Sequence, residues 1–148
     1  MTYLLDSNTI SELYDPESAQ NHCLSAHVSA LAEGDCLCIS ILSVYELEYG
    51  WANAPAKKQS DIRQVITDIQ TDFTVLALSA QGAMVFGRLK KHIKDMRSPS
   101  KENMKKFNID IMLASTAITH QFVMVSADAV YAELQRYDAS FQVENWMV

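Results

Sequence analysis

The stretch Tyr3-Leu4-Leu5-Asp6-Ser7-Asn8-Thr9 changes character at one peptide bond. Three apolar residues give way at once to four polar ones, the pattern of a short buried strand that stops at a loop. Further along, Cys36 to Ser40 repeats the pattern, apolar on both faces as an interior parallel strand is. Thr74 to Leu78 predicts a third strand, the β-branched and aromatic run Phe122 to Ser126 a fourth, and Phe141-Gln-Val143 a last one. The segments between them carry helical periodicity: 9–14, 17–33 with Gly34 as its stop, 56–72 and 109–120, with a short helix over 128–136. Ser43-Val-Tyr-Glu46 has the spacing of a capping box and predicts a helix that runs toward Ala54, closed by Pro55. Ser79 predicts the cap of a helix reaching toward Asp95. Arg97-Ser-Pro-Ser-Lys-Glu-Asn103 has no apolar residue and predicts a loop. Strands separated repeatedly by helices give an α/β fold, a three-layer α/β/α sandwich with a mainly parallel central sheet, in one domain over 1–148.

Composition agrees with that architecture. A chain of 148 residues, 49% hydrophobic and 20% charged, can bury roughly two-thirds of its unfolded surface without disulfides or a structural metal. No apolar run approaches the roughly 20 residues needed to cross a bilayer, so no membrane partner is expected. The opening MTYLLDSNTI lacks the basic segment of a secretory signal, and Cys23, Cys36 and Cys38 are an odd number. Both features predict reduced thiols and a cytoplasmic protein.

The charge is segregated along the chain. Residues 1–56 hold eight acids and no Lys or Arg, whereas residues 57–106 hold eleven of the twelve basic residues against five acids. Eight of those bases fall within 88–106, opposed there by Asp95 and Glu102. A net charge of −6 argues against non-specific nucleic-acid binding by the whole surface. A local basic segment beside an acidic site is different, because a polyanion then needs a positive track to approach. Arg88 and Lys91, on the exposed side of the helix whose Leu89 and Ile93 face inward, are the candidates for contacting such a polyanion.

In open α/β sheets, ligands gather beyond the carboxyl ends of the strands. Asp6 ends the first strand, Glu46 lies a helical turn beyond the second, Asp110 opens the helix before the fourth, and Asp128 follows the fourth. Singly, each has a local structural reading. Asp6 and Asp128 can cap helices, Glu46 can complete its capping box, and Asp110 can sit favourably in a helix first turn. Glu48 points away from Glu46 and reads as structural. If the four converge, several carboxylates within about 4–6 Å raise one another's pKa unless a cation neutralises them. Hard oxygen ligands without His or Cys suit Mg²⁺ or Mn²⁺, and such a cluster performs metal-assisted phosphoryl chemistry. No GxGxxG, Walker loop, GxSxG or HExxH occurs. Cys36-x-Cys38 reads as core rather than a metal site, the four His as surface or partly buried helix residues, and Tyr45 and Tyr49 as core or a subunit interface.

These motifs together resemble the PIN-domain family. Tyr3-Leu4-Leu5-Asp6-Ser7-Asn8 resembles its opening strand into Asp-x-Asn, and Ile41-Leu-Ser-Val-Tyr-Glu46-Leu-Glu-Tyr-Gly50 resembles its second motif. Asp110-Ile-Met-Leu-Ala114 resembles the third, Val125-Ser126-Ala-Asp128 the fourth, and Val143-Glu-Asn-Trp146 the common C-terminal strand. The chain departs from the family in approaching the third motif through Lys-Phe-Asn108 instead of a Gly-containing loop. It also has Ser126 where Thr is more usual. Size and the Glu-Leu-x-Tyr-Gly signature are similar to the VapC-type toxins of bacterial toxin–antitoxin pairs.

That resemblance implies a Mg²⁺- or Mn²⁺-dependent endoribonuclease, a homodimer held inactive by a small antitoxin. Asp6 and Asp110 match the main metal ligands, Glu46 and Asp128 the residues that complete the shell or orient water, and Asn8 and Ser126 the polar residues that hold the carboxylates. In-line attack by water would leave a 5′-phosphate and a 3′-hydroxyl. One rival, an aspartyl-phosphate phosphatase, needs Asp-x-Asp where this chain has Asn8. The other is a catalytically silent PIN-like module that dimerises or binds a partner.

Overall fold

A computed structural model describes residues 1–97 and 100–148. Five strands form one sheet: β1 (Thr2–Leu5), β2 (Cys36–Ser40), β3 (Thr74–Leu76), β4 (Val123–Val125) and β5 (Gln142–Glu144). Their order is β3-β2-β1-β4-β5 and every pairing is parallel. The chain enters at the centre, walks to one edge through β2 and β3, then returns to the other side of β1 for β4 and β5. The strand order therefore reverses between β1 and β4, and the crevice beyond their carboxyl ends is where such a sheet accepts a ligand.

The described helices are α1 (Ser7–Leu13), α2 (Asn21–Ser29), α3 (Ile41–Asn53), α4 (Ala56–Asp72), α5 (Ala80–Arg97), α6 (Lys101–Lys105), α7 (Asn108–His120) and α8 (Ala129–Tyr137). They divide between the two faces. Side chains alternate along a strand, so Leu4, Cys38 and Met124 join one core with Leu89, Ile93, Met104, Ile111 and Tyr131 of α5–α8. Tyr3, Leu5, Ile39, Val123 and Val125 join the other with Ile10, Leu24, Val44 and Ile69 of α1–α4. This is the three-layer arrangement the sequence predicts.

Four local expectations change. α1 starts at Ser7 with no intervening loop, because the Asp6 carboxylate accepts Thr9 N–H and caps it directly. The helix expected over 17–33 shrinks to Asn21–Ser29. Asp15 and Ser18 accept nearby backbone N–H groups before it, and Asp35 accepts Ala32 N–H after it, each a turn that competes with helix. Gly34, at φ 101°, takes the left-handed turn into β2 that other residues resist. α3 is capped by Ser40, whose hydroxyl accepts Leu42 N–H, so Ser43 lies inside the first turn and no capping box with Glu46 forms. The loop expected over 97–103 includes residues 98 and 99, which lie outside the described residues. Beyond them Ser100 caps α6, and buried Met104 anchors it in the core.

Cys38 is buried as expected, but Cys36, at the outer end of the same strand, is exposed; all three cysteines are free. Tyr45 and Tyr49 are about 70% and 69% exposed, which removes them from the core. Among the described residues no helix is long and apolar enough to cross a membrane.

Candidate functional site

Asp6 is the pivot of the rim. The strand it ends is flanked on both sides, and its own N–H donates to Val125 O at 3.2 Å. The carboxylate is buried, 6% exposed, with both oxygens engaged. Oδ1 accepts Thr9 N–H at 2.8 Å and Oδ2 accepts the Ser126 hydroxyl at 2.5 Å. Thr9 Oγ1 in turn donates to Val125 O at 3.2 Å, tying α1 to the end of β4. Burying a carboxylate is costly unless its lone pairs are satisfied, and here a helix N-terminus and a hydroxyl supply the partners. The structural and chemical readings of Asp6 thus coexist on one side chain.

Ser126 links two acids. Its N–H donates to Glu144 O at 3.0 Å, fixing it just past β4, and its hydroxyl oxygen accepts Asp128 N–H at 3.0 Å while donating to Asp6. Asp128 is exposed and caps α8 through Val130 N–H at 3.0 Å. Glu46, one turn into α3, is also exposed. Its Oε1 accepts the Ser7 hydroxyl at 2.6 Å, and Ser7 is itself 2.9 Å from the fully buried Ser43 hydroxyl. A chain of two serines therefore holds Glu46 over the end of β1.

Asp110 sits in the first turn of α7, half-buried, 3.4 Å from the phenolic oxygen of Tyr131, which donates to it. Its pKa is pushed up to about 6, first by burial and next by the negative charge of Asp128. The Tyr131 hydrogen bond works the other way, while Asp6 and Glu46 add further upward pressure. Tyr131, fully buried, is raised well above the usual phenol range by burial and then by Asp110, Asp6 and Asp128. Asp110 thus feels its own burial first and the other three carboxylates after it.

The rim forms two adjoining hollows. One, of about 210 Å³, is lined by Asp6, Ser7, Asn8, Glu46, Asp110 and Lys106 among others. The second, of about 480 Å³, is lined by Asp6, Asn8, Glu12, Ser126 and Asp128 among others. Asp6 and Asn8 belong to both, so three of the acids share one cleft and Asp128 flanks it. Among the described residues no three His, Cys, Asp or Glu side chains stand close enough to enclose an ion unaided. An all-oxygen rim of this kind suits Mg²⁺ or Mn²⁺, since Mg²⁺ keeps several waters and is held through one or two carboxylates.

Residues 3–137 match the PIN domain family. The chain belongs to the PIN-domain family. No curated protein matches it. Among solved structures, it is similar to a chain of VapBC-1 from nontypeable Haemophilus influenzae, with a TM-score of 0.79, 22% identity and 100% of each chain covered. It is similar to a chain of VapBC2 from Rickettsia felis bound to a DNA fragment from their promoter (TM-score 0.76, 20% identity, 99% of each chain). FitAcB from Neisseria gonorrhoeae gives a TM-score of 0.76 at 22% identity, with 97% of each chain covered. At these identities the likeness is one of fold.

Within this PIN fold, the acids named from sequence occupy neighbouring positions on the rim, and Ser126 bonds Asp6 directly. Asn8 is exposed and lines both hollows, and among the described residues no hydrogen bond joins it to a carboxylate. Sequence reasoning missed Ser7, Ser43, Tyr131 and Lys106. Ser43 carried a signal, since a hydroxyl at the head of a helix needs a partner, but the capping box offered a nearer one. Glu48, read as structural, is gripped by both Arg63 guanidinium nitrogens at 2.7 Å, which holds its pKa down. Arg88 and Lys91 lie outside both hollows. Arg88 pairs with Asp138 at 3.0 Å and Lys91 with Asp95 at 2.9 Å.

Proposed function

We propose that this PIN-domain chain is a Mg²⁺- or Mn²⁺-dependent endoribonuclease, the toxin of a toxin–antitoxin pair held in check by a small antitoxin protein in the cytoplasm. The observation that carries it is the gathering of Asp6, Glu46 and Asp110 around one cleft with Asp128 beside it, where burial and then the neighbouring carboxylates raise the pKa of Asp110. Asp6 and Asp110 would hold the ion, with Glu46 and Asp128 completing its surroundings directly or through water. A bound divalent ion would supply Lewis-acid polarisation of the phosphodiester and lower the pKa of a bound water.

The protein side chains do the rest. Ser126 and Thr9 N–H fix both oxygens of Asp6, so this carboxylate needs no reorganisation when charge develops. Tyr131 orients Asp110 from beneath. Ser7 occupies Oε1 of Glu46, leaving Oε2 to orient the attacking water and take up its proton. Attack in line with the ribose 3′-oxygen then releases a 3′-hydroxyl and leaves a 5′-phosphate. The exposed Tyr45 and Tyr49 on α3 support a homodimeric assembly, since amphipathic aromatics of this kind favour protein interfaces. The similar structures named above, solved as VapBC and FitAcB, support the antitoxin.

Purified protein incubated with a pool of structured and single-stranded RNA should cut with Mg²⁺ or Mn²⁺ and not with EDTA. Asp6→Asn and Asp110→Asn should each abolish cutting while remaining folded. Products ending in a 2′,3′-cyclic phosphate would sink the water-attack mechanism, and no cutting by folded, partner-free protein would favour the silent binding module.

A further inference from the structure

The basic residues split into two populations. Arg63, Arg88 and Arg97 are neutralised by Glu48, Asp138 and Glu133. Among the described residues Lys90, Lys94, Lys101, Lys105 and Lys106 make no ion pair. Four of these, with Lys91, Gly87 and Met104, line a furrow of about 520 Å³ between α5 and α6. Lys90 and Lys94 are four residues apart on α5, and Lys101 and Lys105 four apart on α6. Like charges at that spacing repel, and here two such pairs also line the same furrow. The acids on the same helices do not cancel them, because Asp95 is taken by Lys91 and Glu102 stands alone against four. Packing does not require this either: Leu89 and Ile93 fix α5 on the core, and Met104, at the floor of the furrow, fixes α6. The furrow therefore presents positive charge of the kind that attracts a polyanion.

The position of the furrow is as telling as its charge. Lys105 lines the furrow and the next residue, Lys106, lines the carboxylate cleft. Consecutive Cα atoms are about 3.8 Å apart, so the furrow and the acidic cleft are lined from adjacent backbone positions at the C-terminal end of α6. Among the described residues no aromatic side chain lines the furrow, which suits a backbone rather than stacked bases.

We infer that Lys90, Lys94, Lys101 and Lys105, continued by Lys106, form a sequence-indifferent track that leads the phosphodiester backbone of single-stranded RNA into the carboxylate cleft. This rests on the ribonuclease reading of that cleft. Arg88 and Lys91 are paired with Asp138 and Asp95, and Lys91 also lines the furrow, so the track adds the unpaired lysines beside it to the RNA-contacting residues expected from sequence. The track supplies approach and register, while any base preference comes from elsewhere.

The test is fluorescence anisotropy with two unrelated fluorescein-labelled 20-nucleotide single-stranded RNAs, in EDTA over a series of KCl concentrations. Lys94→Gln/Lys105→Gln should weaken both RNAs alike, by about tenfold near 0.15 M salt, and flatten the log–log salt slope by about 1.4. The control, Lys57→Gln/Lys58→Gln on α4 across the sheet, removes the same charge and should change neither, with circular dichroism verifying that both variants fold. Equal losses in the two variants, no loss in the first, or no RNA binding by wild type would overturn the track. Unchanged RNA affinity with lost binding of poly-L-glutamate would overturn it in favour of an acidic polypeptide. Bis(p-nitrophenyl) phosphate is too short to reach the furrow, so its metal-dependent hydrolysis reports the cleft alone. Wild-type failure there counts against the ribonuclease reading, and the furrow variant should match wild type.

Discussion

The carboxylate cleft and the lysine furrow adjoin where Lys105 is joined to Lys106, yet they are held in opposite ways. Each acid in the cleft is fixed by a named bond: Asp6 by Thr9 and Ser126, Glu46 by Ser7, Asp110 by Tyr131, Asp128 by the N-terminus of α8. Among the described residues Lys94, Lys101 and Lys105 of the furrow have no such bonds and stand on exposed helix faces. The difference follows from range. Chemistry at a phosphorus atom tolerates little displacement and rewards groups positioned in advance, whereas attraction of a polyanion acts over a Debye length of about 8 Å and needs only sign and proximity.

Perturbing the fixed cluster should therefore have the larger effects. Asp6→Asn or Asp110→Asn should lower metal-dependent cleavage on the order of 10²–10³-fold or more. The fold should survive Asp6→Asn, because Ser126 can reverse its hydroxyl and accept from the new amide. Ser126→Ala leaves every acid in place but frees Asp6 Oδ2 and unpairs Asp128 N–H. It should weaken Mn²⁺ binding by about 10–100-fold in calorimetry; an unchanged affinity would mean that the rim does not depend on that hydroxyl.

Asp110 offers a test without any metal. Its folded pKa of about 6 lies above the ordinary 3.8, so the folded state holds this proton more tightly than the unfolded state does. The stability it contributes is fully present below pH 4 and is lost as pH rises through about 6. Asp110→Asn should thus be more stable than wild type at pH 7 in EDTA, by about 1 kcal/mol after allowing for solvent screening of a half-exposed group. The difference should vanish below pH 4, as followed by urea melts across that range. The smallest effects belong to the paired surface bases. Lys91→Ala should alter stability by about 0–1 kcal/mol, and RNA affinity less than the furrow variant does.

How far the sequence reveals this depends on range in another sense. Tyr3-Leu4-Leu5 and Cys36–Ser40 are legible as interior strands because their apolar character is local, and the two cores split them residue by residue as a period of two requires. The acids are legible because each is anchored to the end of an element that can be read by itself. Ser7, Ser43 and Tyr131 are not, since their meaning lies in partners 39, 36 and 21 residues away. The furrow is hidden for a different reason. Lys101-Glu-Asn-Met-Lys105 looks like loop because its helix depends on one cap and one buried methionine, and without α6 the lysines have no shape.

The central claim, that the rim of β1 and β4 binds a divalent cation, is most directly tested by titrating Mn²⁺ into isotopically labelled protein and recording paramagnetic broadening of amide signals. Broadening that begins at Asp6, Asn8, Asp110, Ser126 and Asp128, spares Cys36 and Leu37 at the far end of the sheet, and disappears in Asp6→Asn is the predicted result. Broadening centred elsewhere, or unchanged by that substitution, would contradict it.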